Sequence, residues 1–290
     1  MPPKTRYSPR TQAALLVAPA AVLFLLCFAV PFATMATMSV LTANPMVRPD
    51  AQFTAMHYER LSGDIYYLSV LWQTLRLGLW TTLLSLLLGY PLAFLMARTP
   101  SARVRTGLLI AVLAPMVMGL VVRTYAWLGI FSNRGVINGT LLAAGLIQEP
   151  IPMLGTEAAV VIALSHIYVP FMILTLTGVI ARIDPRLEEA ARGLGAGKVG
   201  AFVQVTLPLS GPGILAGSLL VFALAISAYV TPIMIGGYEI LTLPMLIFQQ
   251  VSATFNLGFA AALGVVLLVV ALALVAAYNQ AMGRALRVSG

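Results

Sequence analysis

Charge is the scarcest commodity in this sequence. Only 9% of its 290 residues are Asp, Glu, Lys or Arg, while 60% are hydrophobic. Soluble domains carry about 25% charged residues, so there is too little charge to clothe a soluble globule, and a soluble enzyme is excluded. Cysteine is nearly absent. Cys27 stands alone in an apolar run, which rules out an intrachain disulfide framework. Histidine is limited to His57 and His166, too few and too far apart in sequence for a metal cluster. Acid is scarcer than base, 9 against 17, for a formal charge of +8. In a soluble protein that balance would suggest nucleic acid. In a chain of mean hydropathy +0.96 it points instead to membrane topology, because basic residues collect in cytoplasmic loops. What remains is an integral membrane protein.

Charges mark the ends of the apolar runs. None occurs between Arg10 and Arg48, Arg76 and Arg98, Arg105 and Arg123, Glu157 and Arg182, Lys198 and Glu239, or Glu239 and Arg284. A spanning helix needs about 20 largely apolar residues. The runs predict an all-α membrane domain covering 1–290 with six spans, near 13–40, 69–97, 106–131, 158–181, 208–235 and 257–282. Arg123 falls inside the third. The first run has a basic start (Lys4, Arg6, Arg10) like a signal peptide, but it exceeds the 7–15 apolar residues of an h-region. It reads as an uncleaved first helix. No internal repeat of 20–50 residues stands out.

With the N-terminus inside, Lys4, Arg6, Arg10, Arg98, Arg103, Arg105, Arg182, Arg186, Arg192, Lys198, Arg284 and Arg287 are cytoplasmic, 12 of the 17 bases. Arg48, Arg60, Arg76, Arg123 and Arg134 are left outside, with six of the nine acids. The bias predicts both termini in the cytoplasm. Arg76 and Arg123 near outer helix ends either snorkel to the interface or line an aqueous path.

The segment 182–208 is the longest inner connection and holds the only inner acids, Asp184, Glu188 and Glu189. It reads as a helix outside the bilayer. Asp184 suits the N-cap and Pro185 the first helical position. Glu188 and Glu189 fall where the helix dipole favours anions. Leu187, Ala190, Ala191 and Leu194 form one small apolar face, and Glu188 is spaced to pair with Arg192. Gly193, Gly195 and Gly197 end the helix, and a second helical stretch from Lys198 leads to Leu207 and Pro208. Such a helix either docks into a partner's groove or lies on lipid.

Here a resemblance appears. Glu189-Ala190-Ala191, then Gly195, then Val205-x-Leu207-Pro208 resembles the EAA motif, E-A-A-x3-G-x9-I-x-L-P, of membrane subunits of binding-protein-dependent ABC importers. The spacing agrees throughout, and Val205 for isoleucine is the single departure. Val122 to Trp127, Asn133 to Asn138, Ala228 to Pro232 and Gly236-Gly237 resemble segments of spermidine/putrescine-type permeases, B-type subunit. The resemblance implies a type I ABC importer (MetI-like) permease fold in a bacterial inner membrane, with a cytoplasmic coupling helix. It assigns ATPase coupling to Glu188, Glu189, Ala190, Ala191, Arg192, Gly195, Leu207 and Pro208. It implies partners: two cytoplasmic ATP-binding subunits carrying ATP and Mg, a C-type permease, and a periplasmic or extracellular solute-binding protein.

Gly193 to Lys198 imitates a phosphate loop and fails the test. Arg192 stands where the first glycine is needed, Val199 replaces Ser or Thr, and a helix precedes it. The chain is therefore expected to bind no cofactor and catalyse nothing. Gly213-x3-Gly217 permits close packing, internal or between subunits. His166 either bridges helices or faces the translocation path, as polar groups in membranes do. Tyr125 and Trp127 are belt or gate residues. Tyr229, Thr231 and Pro232 interrupt the fifth span, as broken helices do at transport sites. With Arg123 these are the candidates for the path. The outer segment with His57, Glu59 and Asp64 either meets the binding protein or is simply solvated.

The alternative function is an ion-coupled secondary transporter, which usually needs an ionisable group deep in the membrane. No Asp, Glu or Lys lies near the centre of any predicted span. An intramembrane enzyme lacks a supporting constellation, since Ser165 and His166 are adjacent and leave different helix faces.

Overall fold

The structure, a computed structural model, describes residues 9–42 and 51–288, with side chains for 16–42, 51–277 and 280. Lys4, Arg6, Arg48 and Asp50, and the side chains of Arg10, Arg284 and Arg287, lie outside the described residues. Among those described, the chain is helical apart from turns and one isolated antiparallel bridge, Leu41 to Phe53. Four helices are long and apolar enough to cross a bilayer: Leu16–Met38, Ile65–Arg98, Glu157–Ile180 and Leu257–Ala277. Two bent pairs make six crossings if each pair crosses once. Ala102–Val117 and Leu120–Ala143 meet at 94°, and Lys198–Leu209 and Gly211–Ile226 meet at 62°. The third and fifth expected spans are thus broken rather than straight.

The breaks have local causes. In chain order we label α1 (Pro9–Phe24), α2 (Val30–Met38), α3 (Met56–Gly63), α4 (Ile65–Arg98), α5 (Ala102–Val117), α6 (Leu120–Phe131), α7 (Val136–Ala143) and α8 (Glu157–Ile180). These are followed by α9 (Pro185–Gly193), α10 (Lys198–Ala201), α11 (Leu207–Leu209), α12 (Gly211–Ile226), α13 (Leu243–Ser252) and α14 (Leu257–Val288). Met118 and Gly119 leave the helical region with ψ of 133° and 147°, separating α5 from α6. Between α11 and α12, Pro212 has no N–H to offer the carbonyl of Pro208, so the helical ladder lapses at Ser210.

The chain divides into two compact units. One comprises residues up to 64 with 247–268. In it a π-helical turn, Leu25–Ala29, joins α1 to α2. Ser39 Oγ meets the Tyr58 hydroxyl at 2.7 Å, and His57 Nε2 lies 3.1 Å from the Leu41 carbonyl. His57 is buried, and the Arg60 guanidinium lies 4.7 Å from the Phe259 ring centre. The segment with His57 and Glu59 is therefore a packed helix, α3, rather than a loop.

The other unit, 65–246 with 269–290, is built on α4, α8 and α12. Glycines let these helices touch, as in membrane packing generally. A Cβ on Gly78 would sit 2.5 Å from Ile226 Cγ2, and one on Gly213 would sit 2.9 Å from Val179 Cβ. A Cβ on Gly217 would lie 2.6 Å from Met172 Sδ. The Gly213-x3-Gly217 pair thus serves internal packing. Leu77, Phe131, Leu164 and Ile235 fill one core cluster, and Met96, Met172, Leu176 and Ile180 another.

Two ion pairs set the helix polarity. Arg76 pairs with Glu157 at the start of α8, its Nε donating at 3.0 Å. Arg98, at the end of α4, pairs with Glu188 just beyond the end of α8. The two helices therefore run parallel, and the chain between them must return across the layer. That is the physical argument for reading the 94° pair as one crossing. Arg76, near a helix end as expected, is held by the Glu157 carboxylate while its side chain stays partly exposed. Gly213 opposite Val179 and Gly217 opposite Met172 make α12 antiparallel to α8.

Candidate functional site

The connection over 182–208 folds as its sequence dictates. Asp184 Oδ1 accepts the Arg186 N–H at 2.9 Å, capping α9, and Pro185 opens it. Leu194 closes the helix, and Gly195 follows with φ of +95°, a left-handed conformation costly for residues with a Cβ. No residue of α9 is buried. Leu187 is 47% exposed and Leu194 is 91% exposed, with Glu189, Ala190 and Arg192 also open. The apolar face of this short capped helix is thus largely bare. Past it, α10 continues through a π-helical turn, Phe202–Thr206, into α11 with Leu207 and Pro208. The glycine-rich run 193–198 joins two helices, unlike a phosphate loop.

Glu188 behaves differently from expectation. The predicted partner was Arg192, one turn along. The structure gives Glu188 Oε1 to Arg98 Nη2 at 2.8 Å and to the Thr206 hydroxyl, which donates at 2.5 Å. Arg98 also donates from Nη1 to the Ile183 carbonyl at 2.9 Å. Partly buried charges hold each other better than two solvated side chains on one exposed helix. Arg192 instead remains exposed beside a cavity of about 540 Å³ that Lys198 also lines. Arg98 and Thr206 were missed as site residues. Nothing in their local sequence signals pairings across 90 and 18 positions.

The path candidates form a second neighbourhood, in part. Trp127 Nε1 donates to His166 Nδ1 at 3.2 Å, and its ring stacks on Phe131 at 4.9 Å between centroids. His166 thus links α8 to α6. Arg123 reaches the Ile167 carbonyl at 3.5 Å, the limit of a hydrogen bond, and its Nε is buried without a partner. Thr231 is buried and shares a 3.1 Å hydrogen bond with Thr124. Thr124 lies inside the family-like segment 122–127 but is not among the path candidates, because nothing local shows that it meets Thr231, 107 positions along the chain. Tyr125 is 63% exposed. Tyr229 is half-buried in the stretch after α12. Pro232 does not kink a running helix, for α12 has already ended at Ile226. It opens a separate π-helical turn, Pro232–Gly236. Among the described residues no group of three or more His, Cys, Asp and Glu could hold a metal.

Comparison with known proteins bears on both neighbourhoods. Residues 89–288 match the family model described as the binding-protein-dependent transport system inner membrane component. The chain is similar to the spermidine/putrescine transport system permease protein PotB of Escherichia coli K12, 34% identical over 244 residues, covering 82% of this chain and 88% of the relative. It is 33% identical over 255 residues to PotB of Haemophilus influenzae, covering 86% and 88%. In fold it is similar to a chain of a bacterial alginate ABC transporter solved with an alginate pentasaccharide-bound periplasmic protein. The TM-score there is 0.77 at 18% identity, with 95% of each chain covered.

Proposed function

Because this chain belongs to the family of inner-membrane components of binding-protein-dependent transport systems, we propose that it conducts a polyamine-type solute and is driven through α9. It is a multi-pass inner-membrane permease subunit of an ABC importer. It is non-catalytic, and ATP is hydrolysed on separate subunits. The ion-coupled carrier is not favoured.

The observation that carries the proposal is α9 itself, capped, amphipathic, unburied, and bearing the family motif. Its bare face accepts the groove of a cytoplasmic ATPase, and two ATPases serve a pair of permeases, this chain and a distinct C-type partner. A solute-binding protein delivers substrate at the outer face, where six of nine acids lie in the expected orientation and favour a polycation. The mechanism is alternating access. ATP-driven closure of the ATPases draws the docking helices together and opens the cavity outward, and hydrolysis resets it. The path runs by Arg123, Trp127, His166 and Thr231, and both termini are cytoplasmic.

The test is ATPase activity of the reconstituted complex with its binding protein, against polyamines, opines, amino acids, small carboxylates and phosphonates. Stimulation by polyamines, only with the binding protein present, is expected. Stimulation by another class alone would replace the substrate. If no ATPase co-purifies and uptake follows an ion gradient, the importer mechanism is wrong. Glu189→Lys or Gly195→Val should abolish coupled uptake while the chain still inserts in the membrane.

A further inference from the structure

Tyr90, Phe94 and Arg98 lie four residues apart on α4 and so share one face. All three grip the cytoplasmic loop. The Tyr90 hydroxyl meets Ser210 Oγ at 2.8 Å. The Tyr90 and Phe94 rings both meet the Phe202 ring edge-on, with centroids 5.7 and 5.4 Å away. Arg98 holds Glu188 and the Ile183 carbonyl, and Glu188 in turn holds Thr206. The grips therefore reach the loop at its entry, in α9, in the π-helical turn and at its exit.

The 540 Å³ cavity lies against these grips, lined by Tyr90 and Phe94 of α4 and by Glu188, Arg192 and Phe202 of the loop. The stripe thus gives the loop a direct side-chain link to α4, beside the packing of α4 on α8 and α12. The covalent exit to α12 is a poor strut, bent by 62° where Pro212 leaves the ladder open. The entry from α8 is a turn over 181–184 rather than continuous helix.

We infer that α4, which is joined to the loop only through side chains, receives the displacement of α9 by way of the Tyr90–Phe94–Arg98 stripe. Arg98 is then a positioning residue for coupling. The inference rests on the reading of α9 as the ATPase-docking helix.

The experiment uses the full complex with its ATPase subunits, in a Cys27→Ser background. One environment-sensitive maleimide probe goes on Leu87→Cys of α4, 70% exposed, and another on Val199→Cys of α10, 76% exposed. Each is read before and after trapping with ATP and vanadate. In the parent complex both probes should respond. With Arg98→Ala the Val199 probe should still respond, while the Leu87 response is lost. Arg98→Lys, which can keep one of the two hydrogen bonds, should restore part of it. A full Leu87 response in Arg98→Ala overturns the inference and leaves α9 docking intact. Release of the ATPase from Arg98→Ala overturns it too, since Arg98 would then shape the docking face instead of passing on its motion. If neither probe responds in the parent complex, the docking reading fails and the inference with it.

Discussion

Individual glycines differ in what they do here, and their surroundings say which matter. Gly213 faces Val179, a β-branched side chain with one stiff rotamer in a helix, and an added Cβ would lie 2.9 Å from the Val179 Cβ. Gly178, on the neighbouring helix, has nothing within 4 Å of such a Cβ. Gly213→Ala is therefore expected to cost about 1–3 kcal/mol through overpacking, seen as a lower apparent Tm in detergent. Gly178→Ala should leave the Tm unchanged or raise it. Equal shifts in the two variants would contradict the packing. The sequence shows that Gly213-x3-Gly217 suits close approach, but not which helix approaches. The same holds for charge. Glu188 was matched on paper to Arg192, its neighbour along one helix, and in the fold to Arg98. A pairing rule based on spacing sees only partners on the same element.

At the scale of elements, α9 is the segment whose form was most legible beforehand. Its cap, its first-turn proline and its terminal glycines are all local signals. With nine residues and no buried side chain it rests on those signals and on the grip of Arg98 and Thr206 on Glu188, since helices this short are marginal alone. Asp184→Ala is expected to weaken it by about 0.5–2 kcal/mol. Hydrogen exchange over 185–193 should quicken and uptake fall, while Asp184→Asn should preserve both. Unchanged exchange in the alanine variant would show that tertiary contacts, not the cap, hold the helix. The third and fifth spans were less legible. An apolar run of 26 residues fits one straight helix or two short ones meeting at an angle. Hydropathy is blind to the extended backbone at Met118 and Gly119 that decides between them.

Across the whole molecule, the charge bias and the parallel run of α4 and α8 constrain orientation together. Ion pairs at Arg76–Glu157 and Arg98–Glu188 fix that they point the same way, and the bias of the basic residues predicts which end is cytoplasmic. In a Cys27→Ser background, Arg134→Cys is expected to react with an impermeant maleimide in intact cells. Lys198→Cys should react only after the membrane is opened. Both side chains are exposed, so access depends on the side of the membrane alone. The reverse pattern would invert the topology and remove α9 from the ATPases.

Composition alone determined that this chain lives in a membrane, since a deficit of charge cannot be repaired by folding. Run lengths placed the crossings roughly, and local signals placed the helix α9 that carries the family motif, because capping and amphipathic spacing act between residues a turn apart. Only the tertiary structure decided how that helix is fastened. Whether Arg98 meets Glu188, Trp127 meets His166 or Thr124 meets Thr231 depends on the register of helices packed through glycines. That register is set by shape complementarity among residues tens of positions apart, which no local pattern encodes.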